Sequence, residues 1–151
     1  MAGQALHDFS LGGVPDNCIV FTHVQAGTEA DVVIGVAPFD MVIEKFSVTP
    51  ETDANSALTV ALHNVHGPGG SLAASNSAVA FDTAATDDGV DQIGITGDMD
   101  AAGDFTSVDG VIDITKNIVR KGDRLAAKFS STSTGLTTPT IVVVARRYRG
   151  S

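Results

Sequence analysis

The sequence predicts an all-β fold, an antiparallel β-sandwich of about eight strands. Three observations carry that expectation. Apolar residues recur with a period of two in several short segments. Clusters of Gly, Asn, Asp and Pro separate those segments at short intervals. No segment sustains the 3.6-residue apolar stripe of an amphipathic helix. The 151 residues fit one domain, read as an N-terminal arm over 1–17 and a single sandwich domain over 18–151.

Taken in order, the arm is poor in strand pattern and carries Gly3, Gly12, Gly13 and Pro15, so it reads as a tail or as a segment that orders on a neighbour. The next segment, CIVFTHV from Cys18 to Val24, is apolar on both faces, as in a central strand or one covered on both sides. Val32, Ile34 and Val36 then alternate with Asp31, Val33 and Gly35, and MVIEKFSV from Met41 completes the N-terminal set. Leu58, Val60 and Leu62 alternate with Thr59, Ala61 and His63. Residues 67–104 differ, being rich in Ala, Ser, Gly and Asp, with weak strand signals at 78–81 and 90–95.

Beyond that insertion, Val108, Ile112 and Ile114 share a face opposite Asp109, Val111 and Asp113. Residues 115–121 are the best helical candidate, closed by Gly122. Leu125, Ala127 and Phe129 alternate with Arg124, Ala126 and Lys128, and the final apolar run, Ile141 to Val144, again reads as a strand covered on both sides. The connections are turns, which implies antiparallel neighbours.

Composition narrows the function. The chain is 43% hydrophobic, enough for a core, yet only 5% aromatic and without Trp, which is poor material for a ligand platform of stacked rings. Cys18 is the single cysteine and reads as a buried thiol. No basic head with an apolar run opens the sequence and no stretch approaches a membrane span, so a soluble protein made in the cytoplasm is expected, without a membrane partner. A net charge of −9 argues against nucleic acid as a partner. Seventeen of the 18 acidic side chains precede Lys116, whereas eight of the nine basic ones follow Thr115. Either the two portions neutralise each other inside one fold, or an acidic surface of one copy meets a basic surface on a partner.

Motifs for chemistry are sparse, and no catalytic residue or cofactor is expected. The segment DMDAAGDFTSVD has the outline of a calcium loop, with Asp98, Asp100, Asp104 and Asp109 as weak candidate ligands. Ala102 stands where another oxygen is needed, and Asp109 replaces the longer bidentate Glu, so a solvated acidic loop is the default. His63 and His66 are spaced to point apart on a strand, and His7 and His23 lack ligand-spaced companions. No nucleophile elbow, phosphate loop or dinucleotide fingerprint is present. The densest basic patch, Arg146, Arg147 and Arg149 around Tyr148, offers planar donors for carboxylates on a partner.

The succession of CIVFTHV, then EADVVIGVAPFDMVIEKFSVTPETDANSALTVALHNV, and finally KNIVRKGDRLAAKF with TIVVVARRYR resembles the jelly-roll decoration, or cement, proteins of tailed-bacteriophage capsids. The resemblance covers roughly residues 18–148 and is one of pattern and composition. It implies a jelly-roll sandwich that binds the major capsid protein on the exterior of an icosahedral virion and stabilises the shell, commonly as a homotrimer. Leu6, Phe9 and Leu11 would then anchor the arm on a neighbour, and Arg146, Arg147 and Arg149 would make charge contacts. A carbohydrate- or receptor-binding head-fibre or adhesin module is the alternative.

Overall fold

The computed structural model describes residues 17–25, 31–66, 90–101, 103–130 and 136–149. Leu6, Phe9, Leu11 and His7 of the arm, and residues 67–89 of the insertion, lie outside the described residues. Nine strands follow in order: β1 Cys18–Val24, β2 Asp31–Val36, β3 Met41–Thr49, β4 Val60–Val65, β5 Val90–Thr96, β6 Val108–Ile112, β7 Ile118–Val119, β8 Arg124–Phe129 and β9 Thr140–Arg147. The described residues form no α-helix and one 3-10 turn, Met99–Ala101.

All pairings are antiparallel, and they nest. β1 pairs with β9, β2 with β8, β3 with β6 and β4 with β5. The spatial order β1-β9-β3-β6-β5-β4-β8-β2 divides into two four-stranded sets, with the two-residue β7 attached to β3. This is the strand order of a jelly roll, a long antiparallel ribbon rolled so that its two strands alternate between facing sheets. The chain is therefore an all-β antiparallel sandwich, nearly closed on itself.

β6 is the hinge between the sets. Val108 and Asp109 pair with Val48 and Ser47 of β3, whereas Gly110, Val111 and Ile112 pair with Thr96, Ile95 and Gly94 of β5. The side chain that fills this corner is Phe46, fully buried. A Cβ on Gly110 would stand 1.8 Å from Phe46 Cε1, and one on Gly94 would stand 2.6 Å from the Val111 carbonyl oxygen. Two glycines let the backbones close over the ring. At the opposite margin β1 and β2 approach where Phe21 lies over Gly35, whose added Cβ would be 2.8 Å from Phe21 Cδ1.

The core is built from the inward faces of both sets, with Met41, Ile43 and Val48 of β3, Leu62 of β4, Leu125 of β8 and Ile141 of β9 all fully buried. A β-bulge in β3, between Ile43 and Lys45 against β9, breaks the period of two. It lets Met41 and Ile43, and then Phe46 and Val48, all face inward while Glu44 and Lys45 are both exposed.

Several expectations are corrected. CIVFTHV is not covered on both sides: β1 ends the strand order, and Val20 and Val24 are 46% and 56% exposed. Cys18, at its start, is half-buried. In β9 the alternation is real, with Ile141, Val143 and Ala145 buried and Val142 and Val144 only partly so. Ile114 leaves the inner face and is exposed, because β6 stops at Ile112 and the Asp113 carboxylate accepts the N–H and hydroxyl of Thr115 to make a turn.

Residues 115–121 form that turn and then β7 in place of a helix. Asn117 fixes this choice by reaching across to β3: its side-chain amide donates to the Ile43 carbonyl, and its own carbonyl accepts the Ile43 N–H. Two tertiary hydrogen bonds outweigh the propensity of a seven-residue helix, which is too short to hold itself.

The corner gives a direct test. Gly110→Ala is expected to lower the unfolding free energy in urea by about 2 kcal/mol. Adding Phe46→Leu, which withdraws the ring, should recover part of that loss, so the two changes are non-additive. Simply additive losses would show that ring and glycine do not compete for the same space.

Candidate functional site

Antiparallel pairing of β3 with β9 sets Met41 opposite Arg147 and Thr49 opposite Thr140. Each strand therefore runs between the same two ends of the sandwich, and the charged residues sort to those ends.

At the end where β9 finishes, the basic residues named from sequence are already engaged. Arg146 Nε donates to the Glu44 carboxylate of β3, the exposed neighbour that the bulge creates. The Arg147 guanidinium lies 4.0 Å from the Phe39 ring centroid, and that of Arg120 lies 5.4 Å from the Tyr148 centroid. Arg120 also bonds Asp40, at 3.4 Å. The Lys121 N–H donates to Asp40 Oδ1 at 2.8 Å, and this bond, with the Arg120 charge, holds the Asp40 carboxyl below the usual carboxylate range. Arg149 is exposed and makes no contact of this kind among the described residues. Arg146–Glu44, Arg120–Asp40 and Lys116–Asp91 each join a base of the C-terminal portion to an acid of the N-terminal one. Part of the charge split is thus neutralised within the fold.

At the other end three acids of the calcium outline, Asp98, Asp104 and Asp109, do separate work, and the fourth, Asp100, contributes its backbone N–H. Asp98 Oδ1 accepts the N–H groups of Leu58 and Asp100, both at 3.0 Å, and these bonds lower its pKa. Asp104 Oδ1 accepts the Asp53 N–H at 2.9 Å, and Asp109 faces Lys45 at 3.6 Å. Among the described residues no three His, Cys, Asp or Glu side chains converge in metal-binding geometry. The carboxylates of Asp98 and Asp104 tie loop backbone together, and Asp109 joins β6 to β3.

The same end holds a feature that the sequence reading passed over. Phe105, inside the acidic segment DMDAAGDFTSVD, is 74% exposed, with φ at +54°. Its N–H donates to the Pro50 carbonyl at 3.0 Å, which pins the loop beneath it. Thr138 also has positive φ, +43°. Both residues line one shallow depression of about 230 Å³, together with Thr49, Pro50, Glu51 and Thr140. Left-handed backbone is uncommon for a bulky residue and costs on the order of 1–3 kcal/mol. The depression is smaller than the roughly 300–1,000 Å³ of sites for drug-sized ligands. The signal was present in DFTS: a lone aromatic inside a polar turn, with no apolar neighbour two residues away to share a buried face.

A second cluster lies within the sheet. β4 is buried at every position, so His63 is fully enclosed, and neither ring nitrogen has a hydrogen-bond partner among the described residues. Gln92 is its cross-strand neighbour on β5, and Lys128, nearly buried, lies along β8 opposite Ala61. Burial first, and the Lys128 charge second, push the His63 pKa down to about 4. His66 sits apart, 3.3 Å from Asp91.

No helix of the described residues is long and apolar enough to cross a membrane. No protein-family model matches the chain, and no curated protein matches it.

His63 sets an acid limit. Its folded-state pKa is depressed from 6.5, so its stabilising contribution is complete above pH 6.5 and is lost as pH falls toward about 4. Chemical unfolding followed across that window should reveal a loss on the order of 3 kcal/mol. His63→Leu should flatten the window while leaving intact the steeper loss below pH 3.8, where the lowered carboxyls of Asp40, Asp98 and Asp113 take up protons. An unchanged slope in the variant would refute the assignment.

Proposed function

We propose that the chain is a structural virion protein that binds the outer surface of an icosahedral tailed-phage capsid, contacts the major capsid protein and stabilises the shell, working as a homo-oligomer, a trimer by preference, and without a catalytic step. The observation that carries this reading is the exposed apolar dressing of the two strands that end the sheet order. Val20 and Val24 of β1 and Val33 and Val36 of β2 are each about half exposed, 46 to 60%. They flank the margin where Phe21 meets Gly35.

Strands that end a sheet present unpaired backbone groups, which proteins ordinarily guard with charge or Pro. Here valines flank them. Apolar side chains grouped at the strands that end a sheet order favour contact with another protein surface. The jelly-roll order supports the reading at the level of fold alone. The net charge of −9 supports a protein partner over nucleic acid.

One observation favours the second reading, a carbohydrate- or receptor-binding module. Phe105 presents an exposed ring beside the hydroxyls of Thr138 and Thr140. A ring face with neighbouring hydroxyls suits a sugar.

Co-sedimentation with shells of the encoding phage, stripped of exterior proteins, tests the first reading. Saturable binding is expected, weakened at least about tenfold by Val24→Asp with Val33→Asp, since each charge would have to be desolvated in the contact. Binding by a folded double variant at wild-type strength would move the capsid contact away from this margin. No binding by the wild type, with a positive glycan array, would install the second reading.

A further inference from the structure

The two ends of the sandwich are unlike in charge and complementary in surface. At one, Glu51 and Asp104 are exposed beside Phe105, and Asp100 is exposed earlier in the same acidic segment. At the other, Lys121, Arg147 and Arg149 are exposed, with Arg147 stacked on Phe39 and Arg120 on Tyr148. We propose that the Phe105 end of one copy docks head to tail on the arginine and aromatic end of a second copy. This rests on the homo-oligomeric part of the function proposed above and is independent of the surface the assembly then binds.

Three considerations support the contact. The first is the energetic oddity of Phe105. A large apolar ring held by the Pro50 hydrogen bond in a left-handed turn, and left 74% in water, is a cost without return inside one copy. Buried against a second protein it becomes the kind of aromatic anchor that carries much of an interface.

The second is distance. β9 is eight residues long, so its ends stand roughly 26 Å apart at about 3.3 Å per residue. That exceeds the screening length of about 8 Å at physiological salt, so one copy cannot neutralise its own ends. A second copy can, because the acids of the Phe105 end then meet the cations that the internal pairs leave over.

The third is the chemistry of the receiving end. Arg147, stacked on Phe39, presents its edge N–H groups to an incoming carboxylate, whereas Arg120 over Tyr148 is already bonded to Asp40. The rings beneath offer an edge-to-face partner for an incoming phenyl. The contact joins unlike surfaces and is therefore heterologous: it closes into a ring where the rotation between copies closes and runs on as a filament where it does not.

Sedimentation velocity on the intact chain tests this. The wild type is expected to associate at low salt and to dissociate as salt rises, and Phe105→Ser should weaken association about tenfold or more. Two charge-reversed variants separate a contact from a folding defect. Glu51→Lys with Asp100→Lys makes both ends basic, and Lys121→Glu with Arg149→Glu makes both ends acidic.

Each should be monomeric alone, and mixing the two should restore association as alternating pairs, open chains or even-numbered rings, since a reversed end meets its complement only in the other variant. If the wild type associates and all three variants associate equally well, the head-to-tail contact is wrong and the homo-oligomer stands on another surface. A wild type that stays monomeric at low salt overturns both. A glycan signal that depends on Phe105, with mass unchanged by its loss, assigns this end to the second reading and overturns the contact.

Discussion

The closure of two glycines over the Phe46 ring is the constraint on which the rest of the sandwich depends. β6 belongs to both four-stranded sets, and it can turn from one to the other only if its backbone passes within contact of β5 and of the buried ring. A side chain on Gly110 would occupy the space of the phenyl; a side chain on Gly94 would occupy that of the Val111 carbonyl. Once this corner is set, the facing of the two sheets follows, and with it the inward direction of every alternating residue on β3, β4, β8 and β9. The stabilisation comes from burial, and the glycines decide where burial is geometrically allowed.

Nested pairing then explains how charge is distributed. Because β9 lies beside both β1 and β3, the basic tail of the sequence is laid against its acidic beginning, and Arg146 finds Glu44 across a bulge. Such exposed pairs contribute little to stability, roughly 0–1 kcal/mol each. Their consequence is directional. By neutralising the C-terminal arginines in part, they remove much of the reason for treating that strand as a free basic patch. At the other end Asp98 and Asp104 bond backbone N–H groups and, among the described residues, no cation.

The alternating segments were legible in the sequence because one face of each strand is buried and the other is not. Leu125, Ala127 and Phe129 on β8 are the plain case. Where that asymmetry fails, so does the reading. CIVFTHV looks like a central strand because valines occupy its outer face, but its neighbours place it at a margin. Residues 115–121 looked helical because nothing local reveals that Asn117 will bond Ile43, far away in sequence. The strand order was not legible at all, since it is decided by long-range pairing such as Cys18 with Arg146. Of the candidate site, the clustering of acids over 98–109 is visible in the sequence, but the partners of these carboxylates and the exposure of Phe105 depend on which backbone groups the fold brings near.

β4 shows the same dependence on long-range packing in its register. It is buried on both faces, yet it contains His63 and Asn64, polar side chains that an entirely apolar strand would replace at no loss of burial. Enclosing an uncharged imidazole without hydrogen bonds costs free energy, and keeping it neutral beside Lys128 costs the protein its tolerance of acid. What the residues supply is asymmetry. A strand of uniform Val and Leu could slip by one position against β5 and β8 and still bury apolar surface on both sides. With Leu62 on one face and His63 on the other, a slip would drive the imidazole into the core among Ile93 and Leu125 and turn leucine toward Lys128. The polar residues therefore penalise the wrong register more than they weaken the right one, which is how a strand without a solvent face keeps its place.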